Sequence, residues 1–243
     1  MRLHVSKKIF EKTPLYQRLI ALILIIALSP LLIFIAFLSF FDTGKNPIFI
    51  QERGLTLQKY RFKLFKFRTI KSSASEEYIS NNPQILKKTF LYSKISTPGK
   101  YLRKTGLDEL PQLFNILFGQ MNFIGPRALS IEDLTRIKSE YPELYERRNQ
   151  IKTKPGIIGL WQVNKDISCS IPHLIKLDEE YERHKSFLMD LKILFRAVEI
   201  ILFGYHIDSI VNGEKIKIYP IAIYATLIST ILLIVFVLNI LRF

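Results

Sequence analysis

The chain has 243 residues, with 35 Lys and Arg against 21 Asp and Glu, a formal net charge of +14. Its single cysteine, Cys169, excludes an internal disulfide, and with no Cys or His beside it at ligand spacing it reads as a small, partly buried apolar residue. The length suits one domain plus membrane segments, and the basic balance points to anionic partners: lipid headgroups, phosphate substrates or nucleic acid.

Residues 1–18 form a basic N-terminal segment, with Arg2, Lys7, Lys8, Lys12 and Arg18 against Glu11. The uncharged run Leu19–Phe41 comes next, long enough to cross about 30 Å of hydrocarbon. Its length and the want of a small-residue cleavage site argue against a cleaved signal peptide. Basic residues flank it again on the far side, from Lys45 and Arg53 through Lys66 and Arg68. A simple spanning helix would put one basic cluster outside, against the positive-inside rule. Ser29-Pro30 sits near the centre, where proline removes a helix hydrogen bond and bends the chain. A helix that enters, turns at Ser29-Pro30 and leaves by the same face keeps both clusters cytoplasmic. An ordinary kinked spanning helix is the alternative.

Asp42–Pro47 is turn chemistry. Two strand-like runs come after it, Ile48–Glu52 and Tyr60–Arg68, with Gly54 in the loop between them. Tyr60, Phe62 and Leu64 alternate with Arg61 and Lys63, and then the parity slips at Leu64-Phe65, which predicts a bulge in an aromatic-and-basic hairpin. Arg53, Lys66 and Arg68 can hold phosphates or serve as solvated strand-edge charges. Residues 72–82 are polar and read as a loop, and Pro98-Gly99 reads as a tight turn.

Arg103-Lys104 then leads into Leu107-Asp108-Glu109-Leu110-Pro111-Gln112-Leu113. Leu110, Leu113, Phe114, Leu117 and Phe118 have the spacing of one buried helix face. Pro111 is tolerated only in a first turn, so the helix should start near Leu107 or Asp108, with Thr105 and Asp108 able to form a capping box. Acids at a helix start are common. Here cations stand just upstream, and a helix N-terminus favours ionised carboxylates and attracts phosphate.

Gly119 ends that helix. Gly125-Pro126-Arg127 is a rigid turn presenting one guanidinium, a group suited to phosphate. Ser130 with Asp133 opens a helix to about Tyr141-Pro142, and a second helical piece carries Arg147 and Arg148. In Lys154-Pro155-Gly156-Ile157-Ile158-Gly159-Leu160-Trp161-Gln162 the glycines let backbone approach a ligand, and Trp161 and Gln162 suit a base or sugar. Trp161 serves equally as the anchor of a buried loop. Ile171–Lys185 and Ser186–Phe203 read as helices, the latter with Leu188, Leu191, Leu194, Phe195 and Val198 on a face for the core or the membrane interface. The uncharged run Pro220–Leu241 is long enough for a further spanning helix, with Lys215 inside.

Several blocks occur together in one order: Ser29-Pro30; Phe49–Gly54; Phe65–Thr69; Leu102–Lys104; Leu107–Asn115; Ile124–Arg127; Lys154–Gly159 with Gln162; and Asp190. In these the chain resembles the monotopic bacterial sugar transferases, the polyprenyl-phosphate phosphoglycosyl transferases, over about residues 20–203. The resemblance implies transfer of a sugar 1-phosphate from a UDP-sugar to polyprenyl phosphate, with UMP leaving. It implies Asp108 as nucleophile, forming a phosphosugar intermediate, with Glu109 helping to hold Mg²⁺ beside it. Arg68, Arg103 and Arg127 match phosphate-gripping positions, with Lys66 beside them, and Pro155, Gly156, Gly159, Gln162 and Asp190 fall to the nucleotide sugar.

The implied architecture is membrane-associated α+β. It comprises the basic segment 1–18, a re-entrant helix at 19–41 and a mostly helical cytoplasmic catalytic domain with a small β-hairpin at 42–219, to which the last apolar run adds an extra C-terminal transmembrane helix at 220–243. Location in the bacterial inner membrane on anionic lipid is implied too, with no nucleic acid as partner and homo-oligomers allowed. Three features depart from the family pattern. Thr13, Pro14 and Gln17 stand where a Lys-Arg-x-x-Asp start is usual, Ala128 replaces a second proline after Gly-Pro-Arg, and the apolar tail is additional. A non-enzymatic basic protein binding lipid, nucleic acid or a partner is the rival reading, but it leaves the acid pair and arginine motifs at family spacing without a reason.

Overall fold

The structure, a computed structural model, describes residues 11–71, 94–164 and 170–203. The stretch expected to form a loop at 72–82, Cys169 and the apolar run from 220 onward lie outside these residues. The described chain is mixed α and β, mostly helical, with a small antiparallel sheet.

Helices α1 (Leu15–Ala27) and α2 (Ser29–Thr43) meet at Leu28 with a bend of 66°. Pro30 lies in the first turn of α2, where its missing N–H forfeits no helix bond. Ser29 Oγ donates back to Ile26 O at 2.8 Å. The Ser-Pro pair therefore ends one helix and begins another. Among the described residues no single helix is long and apolar enough to cross a membrane, whereas this bent pair qualifies by length and composition. Leu15, Ile23, Ile26, Phe34, Phe37 and Phe41 face outward along it.

Each half of the pair packs into a different part of the core. Ala21 is buried with Phe62, Leu64, Ile116, Met121 and Ala128. Ile35 is buried with Phe67 and Leu102, and Leu31, Leu32, Leu107 and Leu110 pack on that cluster. The leucines on either side of Asp108-Glu109 thus rest against the start of α2, just after the bend. Polar contacts tie the N-terminal approach to the segment 117–123, downstream of the acid turn. Thr13 Oγ1 donates to Gly119 O and Met121 O (3.2 and 3.0 Å), Arg18 Nε to Leu117 O (2.8 Å), and Gln17 Oε1 accepts from Phe123 N (2.9 Å). Lys154 Nζ donates to Gly119 O as well. Donors and cations so placed satisfy carbonyls at a helix C-terminus. Anchoring is therefore made by Thr13, Gln17 and Arg18, without the Lys-Arg-x-x-Asp sequence.

Strands β1 (Ile48–Thr56) and β2 (Tyr60–Phe67) form the expected hairpin, and β4 (Leu129–Ser130) adds to the other edge of β1 in the order β2-β1-β4. β3 (Asn122–Ile124) and β5 (Gly156–Ile158) form a separate parallel pair. Helices α3 (Thr97–Thr105), α4 (Gln112–Leu117), α5 (Ile131–Glu140), α6 (Pro142–Arg148), α7 (Leu160–Val163), α8 (Ile171–His184) and α9 (Phe187–Phe203) surround them. A third cluster of Leu129, Leu134, Ile137, Tyr145, Trp161 and Leu174, with others, joins α5, α6 and α8 under the sheet.

Several local expectations are corrected. Gly54 lies within β1; a Cβ there would sit 2.5 Å from Tyr60 O. The register runs unbroken from Ile48↔Phe67 to Gly54↔Arg61 and shifts only between Gly54 and Thr56, so no bulge occurs at Leu64-Phe65. The parity slip instead marks a change of covered face: Phe62 and Leu64 pack toward α1 and α4, and Phe67 toward α2 and α3. Pro98-Gly99 is the first turn of α3, capped by Ser96 Oγ accepting from Gly99 N at 2.9 Å. The helix expected from Leu107 starts only at Gln112, after a 3-10 turn at Leu107–Glu109. Gly106, at φ 72°, has already ended α3, and Thr105 Oγ1 donates backward to Tyr101 O and Leu102 O, so it forms no capping box. The later start also rotates the buried face: Asn115 and Ile116 are fully buried, and Phe118 is exposed. Of the two roles left open for the apolar face of α9, the core is not the one taken: Leu188, Leu194, Phe195 and Val198 stay outside, and Ile193 and Ala197 make the core contact.

Candidate active site

The acid pair sits in the short turn between α3 and α4, pinned by its flanking leucines. Beside it lies a shallow cleft, open to solvent, lined by Arg53, Lys66, Glu109, Gln112, Arg127 and Gln162 among others. Lys66 reaches it because it shares a strand face with Phe62 and Leu64. Its Nζ lies 2.5 Å from Glu109 Oε1, with both side chains mostly buried.

β2 is the free edge of its sheet, yet Asn115 closes that edge. Asn115 Oδ1 accepts from Phe65 N (3.1 Å), and Nδ2 donates to Lys63 O (2.7 Å) and to Gln120 Oε1 (2.6 Å). One amide thereby substitutes for a neighbouring strand and locks α4, the helix after the acid turn, to the strand that carries Lys66.

Arg53 extends from β1. Its Nε and Nη2 donate to Gln51 Oε1 (3.1 and 2.9 Å), and Nη1 to Ala128 O (3.2 Å). Burial lowers its pKa from the usual guanidinium value, and the charge of Arg127 lowers it further against the pull of Asp133, Glu109 and Glu132. Removing water and crowding like charges are the two effects that would make such a site attract anions. Arg127 lies with its guanidinium carbon 5.4 Å from the centre of the Trp161 ring. Trp161 is 2% exposed, so it acts as a buried anchor, and Gln162 is the one of the two that lines the cleft. Gln162 Nε2 donates to Ile157 O at 3.1 Å.

The glycines serve backbone packing first. A Cβ on Gly156 would lie 2.1 Å from Gly125 N, and one on Gly125 2.4 Å from Lys154 O. Two chain segments pass so closely there that only hydrogen fits. Gly156 N donates to Pro126 O, and Gly125 N to Ile158 O. Gly156 also lines the cleft, whereas Gly159 abuts Gly125 O and Gln162, and Pro155 is buried with its carbonyl accepting from Asn122 N.

The other expected residues stand off the cleft lining. Asp108 is 3% exposed, turned into the protein beside Glu109. Arg103 Nη1 donates to Thr69 Oγ1 at 3.1 Å. Arg68 Nε donates to Asn46 O at 2.8 Å, with its guanidinium over Phe49. Asp190 accepts from Tyr181 Oη at 2.8 Å, and burial raises its pKa while that bond holds it down. Asp190 thus ties α9 to α8.

Two functional candidates were missed. Arg148 and Asp178 form an ion pair at 2.5 Å, 0% and 1% exposed, directly behind Arg127. A signal existed: Ile171, Leu174, Ile175 and Tyr181 mark the inner face of α8, and Asp178 shares it. An acid in such a place demands a buried partner.

As to cation binding, among the described residues no three His, Cys, Asp or Glu side chains gather as a complete ligand set. Mg²⁺ commonly takes one or two carboxylates from the protein and fills its shell with water and substrate phosphate. Here Glu109 is at the cleft but paired with Lys66, and Asp108 is turned inward, so the two would hold the ion only after Asp108 swings out and Glu109 releases Lys66.

Comparison with known proteins agrees with this picture. The family model described as "Bacterial sugar transferase" matches residues 9–204. The exopolysaccharide production protein ExoY of Sinorhizobium fredii is 32% identical over 203 residues, 80% of this chain and 84% of that one. The UDP-glucose:undecaprenyl-phosphate glucose-1-phosphate transferase of Klebsiella pneumoniae is 32% identical over 185 residues, 74% of this chain. The undecaprenyl-phosphate galactose phosphotransferase of Salmonella typhimurium is 32% identical over 190 residues, also 74% of this chain. The chain spans only 38% of the length of each of the latter two. With the match running from before the bent helix pair to the end of α9, the chain belongs to the bacterial sugar transferase family.

Proposed function

We propose that the chain transfers a sugar 1-phosphate from a UDP-sugar to polyprenyl phosphate at the cytoplasmic face of the bacterial inner membrane. The observation that carries this reading is the convergence of Arg53, Lys66 and Arg127 with Glu109 on one cleft, in a fold whose core also seats a bent apolar helix pair. A nucleotide diphosphate brings about two negative charges, which a carboxylate nucleophile would repel unless cations neutralise them. Relatives named for undecaprenyl-phosphate sugar transfer supply the reaction class.

In this proposal an Asp108 oxygen attacks the β-phosphorus of the donor, the bond to the bridging oxygen breaks, and UMP departs with that oxygen and its electron pair. A polyprenyl phosphate oxygen then attacks the same phosphorus and returns Asp108 to its carboxylate, leaving a polyprenyl diphosphate sugar. Dividing one displacement into two is the usual benefit of covalent catalysis. Because Asp108 is 3% exposed, the 107–109 turn must open that carboxylate to the cleft when donor binds. Arg53, Lys66 and Arg127 hold the phosphates; Gln162 and Gly156 border the rest of the donor. Mg²⁺ held by Asp108 and Glu109 would supply charge neutralisation at the diphosphate.

The test is UMP release across a panel of UDP-sugars with undecaprenyl phosphate and Mg²⁺, with exchange of labelled UMP into UDP-sugar when acceptor is omitted. Release without any exchange would replace the covalent route by direct attack of the lipid phosphate. No release with any donor would overturn the function.

A further inference from the structure

We infer that Arg148 and Asp178 are positioning residues for Arg127: the buried pair grips the backbone of Arg127 on both sides and so fixes where its guanidinium meets an anion in the cleft. The inference rests on the anion-binding reading of that cleft.

Asp178 Oδ1 accepts from Arg127 N at 3.4 Å, and its Oδ2 accepts from Arg148 Nη1 at 2.5 Å. Arg148 Nη2 donates to Arg127 O. Arg148 Nε donates to Leu55 O at 2.7 Å, two residues along β1 from Arg53. One guanidinium–carboxylate unit thus joins α6, α8, β1 and the 125–128 turn. From the front, Arg53 Nη1 donates to Ala128 O, and β1 pairs through Arg53↔Ser130 and Gly54↔Leu129. Both cleft arginines are referenced to the same buried pair.

Simple adhesion between α6 and α8 does not need this arrangement. A buried ion pair loses hydration, and apolar replacements of similar volume are often as stable or more so. An apolar pair could pack there but could offer neither a donor to Arg127 O nor an acceptor for Arg127 N. What the charged pair uniquely supplies is a fixed backbone for one residue. Positioned donors bind a phosphate better because less freedom is lost on binding.

The full-length protein in detergent micelles would be titrated calorimetrically with UDP and, separately, with inorganic pyrophosphate. Asp178→Asn should weaken both about tenfold, the loss expected when a charge-assisted contact is misaligned. Arg127→Ala should weaken them at least as much. The double variant should be within about twofold of Arg127→Ala alone, because the second change then has nothing to act through. Arg148→Lys, which keeps the charge but loses the fork, should repeat the Asp178→Asn result. A purely structural role would lower affinity by the same factor with or without Arg127, and that additive result would overturn the inference. So would unaltered binding in a folded Asp178→Asn, or failure of both Asp178→Asn and Arg148→Lys to fold. Wild-type protein that binds pyrophosphate but not UDP would count against the nucleotide-sugar reading while leaving the Arg127 comparison intact. Binding of neither would remove the anion role of Arg127 and the inference together.

Discussion

Asn115→Leu should destabilise the protein far more than a shape-similar exchange on a helix suggests. Asn115 is completely buried and makes three hydrogen bonds, to Phe65 N, Lys63 O and Gln120 Oε1. Gln120 is half-buried and can turn to water. The two backbone groups of β2 cannot turn, and each stranded group costs about 1–3 kcal/mol. They are only part-buried, which favours the lower half of that range, and added leucine burial offsets about 1 kcal/mol. The net expectation is about 1–3 kcal/mol, or roughly 2–12 °C in melting temperature for a domain of this size. Thermal unfolding in detergent, followed by near-ultraviolet circular dichroism, measures it. Lys66 is the next residue after Phe65, so the same variant should also bind pyrophosphate more weakly. A cooperative transition within about 1 °C of wild type would refute the view that Asn115 closes the edge of β2.

Asp108→Asn should abolish both sugar-phosphate transfer and labelled UMP exchange; normal turnover in that variant would end the nucleophile proposal. Gly156→Ala places a Cβ 2.1 Å from Gly125 N, where backbone cannot yield, so a loss of at least about 3 kcal/mol and poor recovery of folded protein are expected on expression. Burial raises the pKa of Tyr60 to about 12 from 10.0. A phenol whose folded value is the higher contributes stability that is full below pH 10 and lost as pH rises toward 12. The stability of wild type relative to Tyr60→Phe should fall across that window, by less than about 2 kcal/mol after allowance for partial exposure. A constant difference in denaturant midpoint between pH 9 and pH 12 would count against it.

What could be read from the sequence depended on how local each cause was. The Ser130–Asp133 helix start, the stop at Gly119 and the helix pair after Ser170 each arise from a few neighbouring residues, and the structure has them. The break at Ser29-Pro30 was visible for the same reason. The beginning of α4 was misplaced because Gly106 ends one helix in a left-handed turn before the acids, a competition that a single helical pattern hides. The slip at Leu64-Phe65 was misread because two different cores cover the two ends of β2, and no local rule reports which partner lies opposite. Arg53 and Lys66 could be suspected only as strand cations; that they join Glu109 and Arg127 depends on contacts between distant segments. The Arg148–Asp178 pair spans 30 residues, and only the acid on the inner face of α8 hinted at it.

The two arms of the bent pair are held by separate clusters, Ala21 beside Ile116 and Ile35 beside Leu102. The angle between them is therefore tied to packing inside the protein. Straightening the pair into one continuous rod would tear both clusters open. The sharpness of the turn is thus coupled to folding: a substitution that loosens either cluster should loosen the elbow between the arms as well.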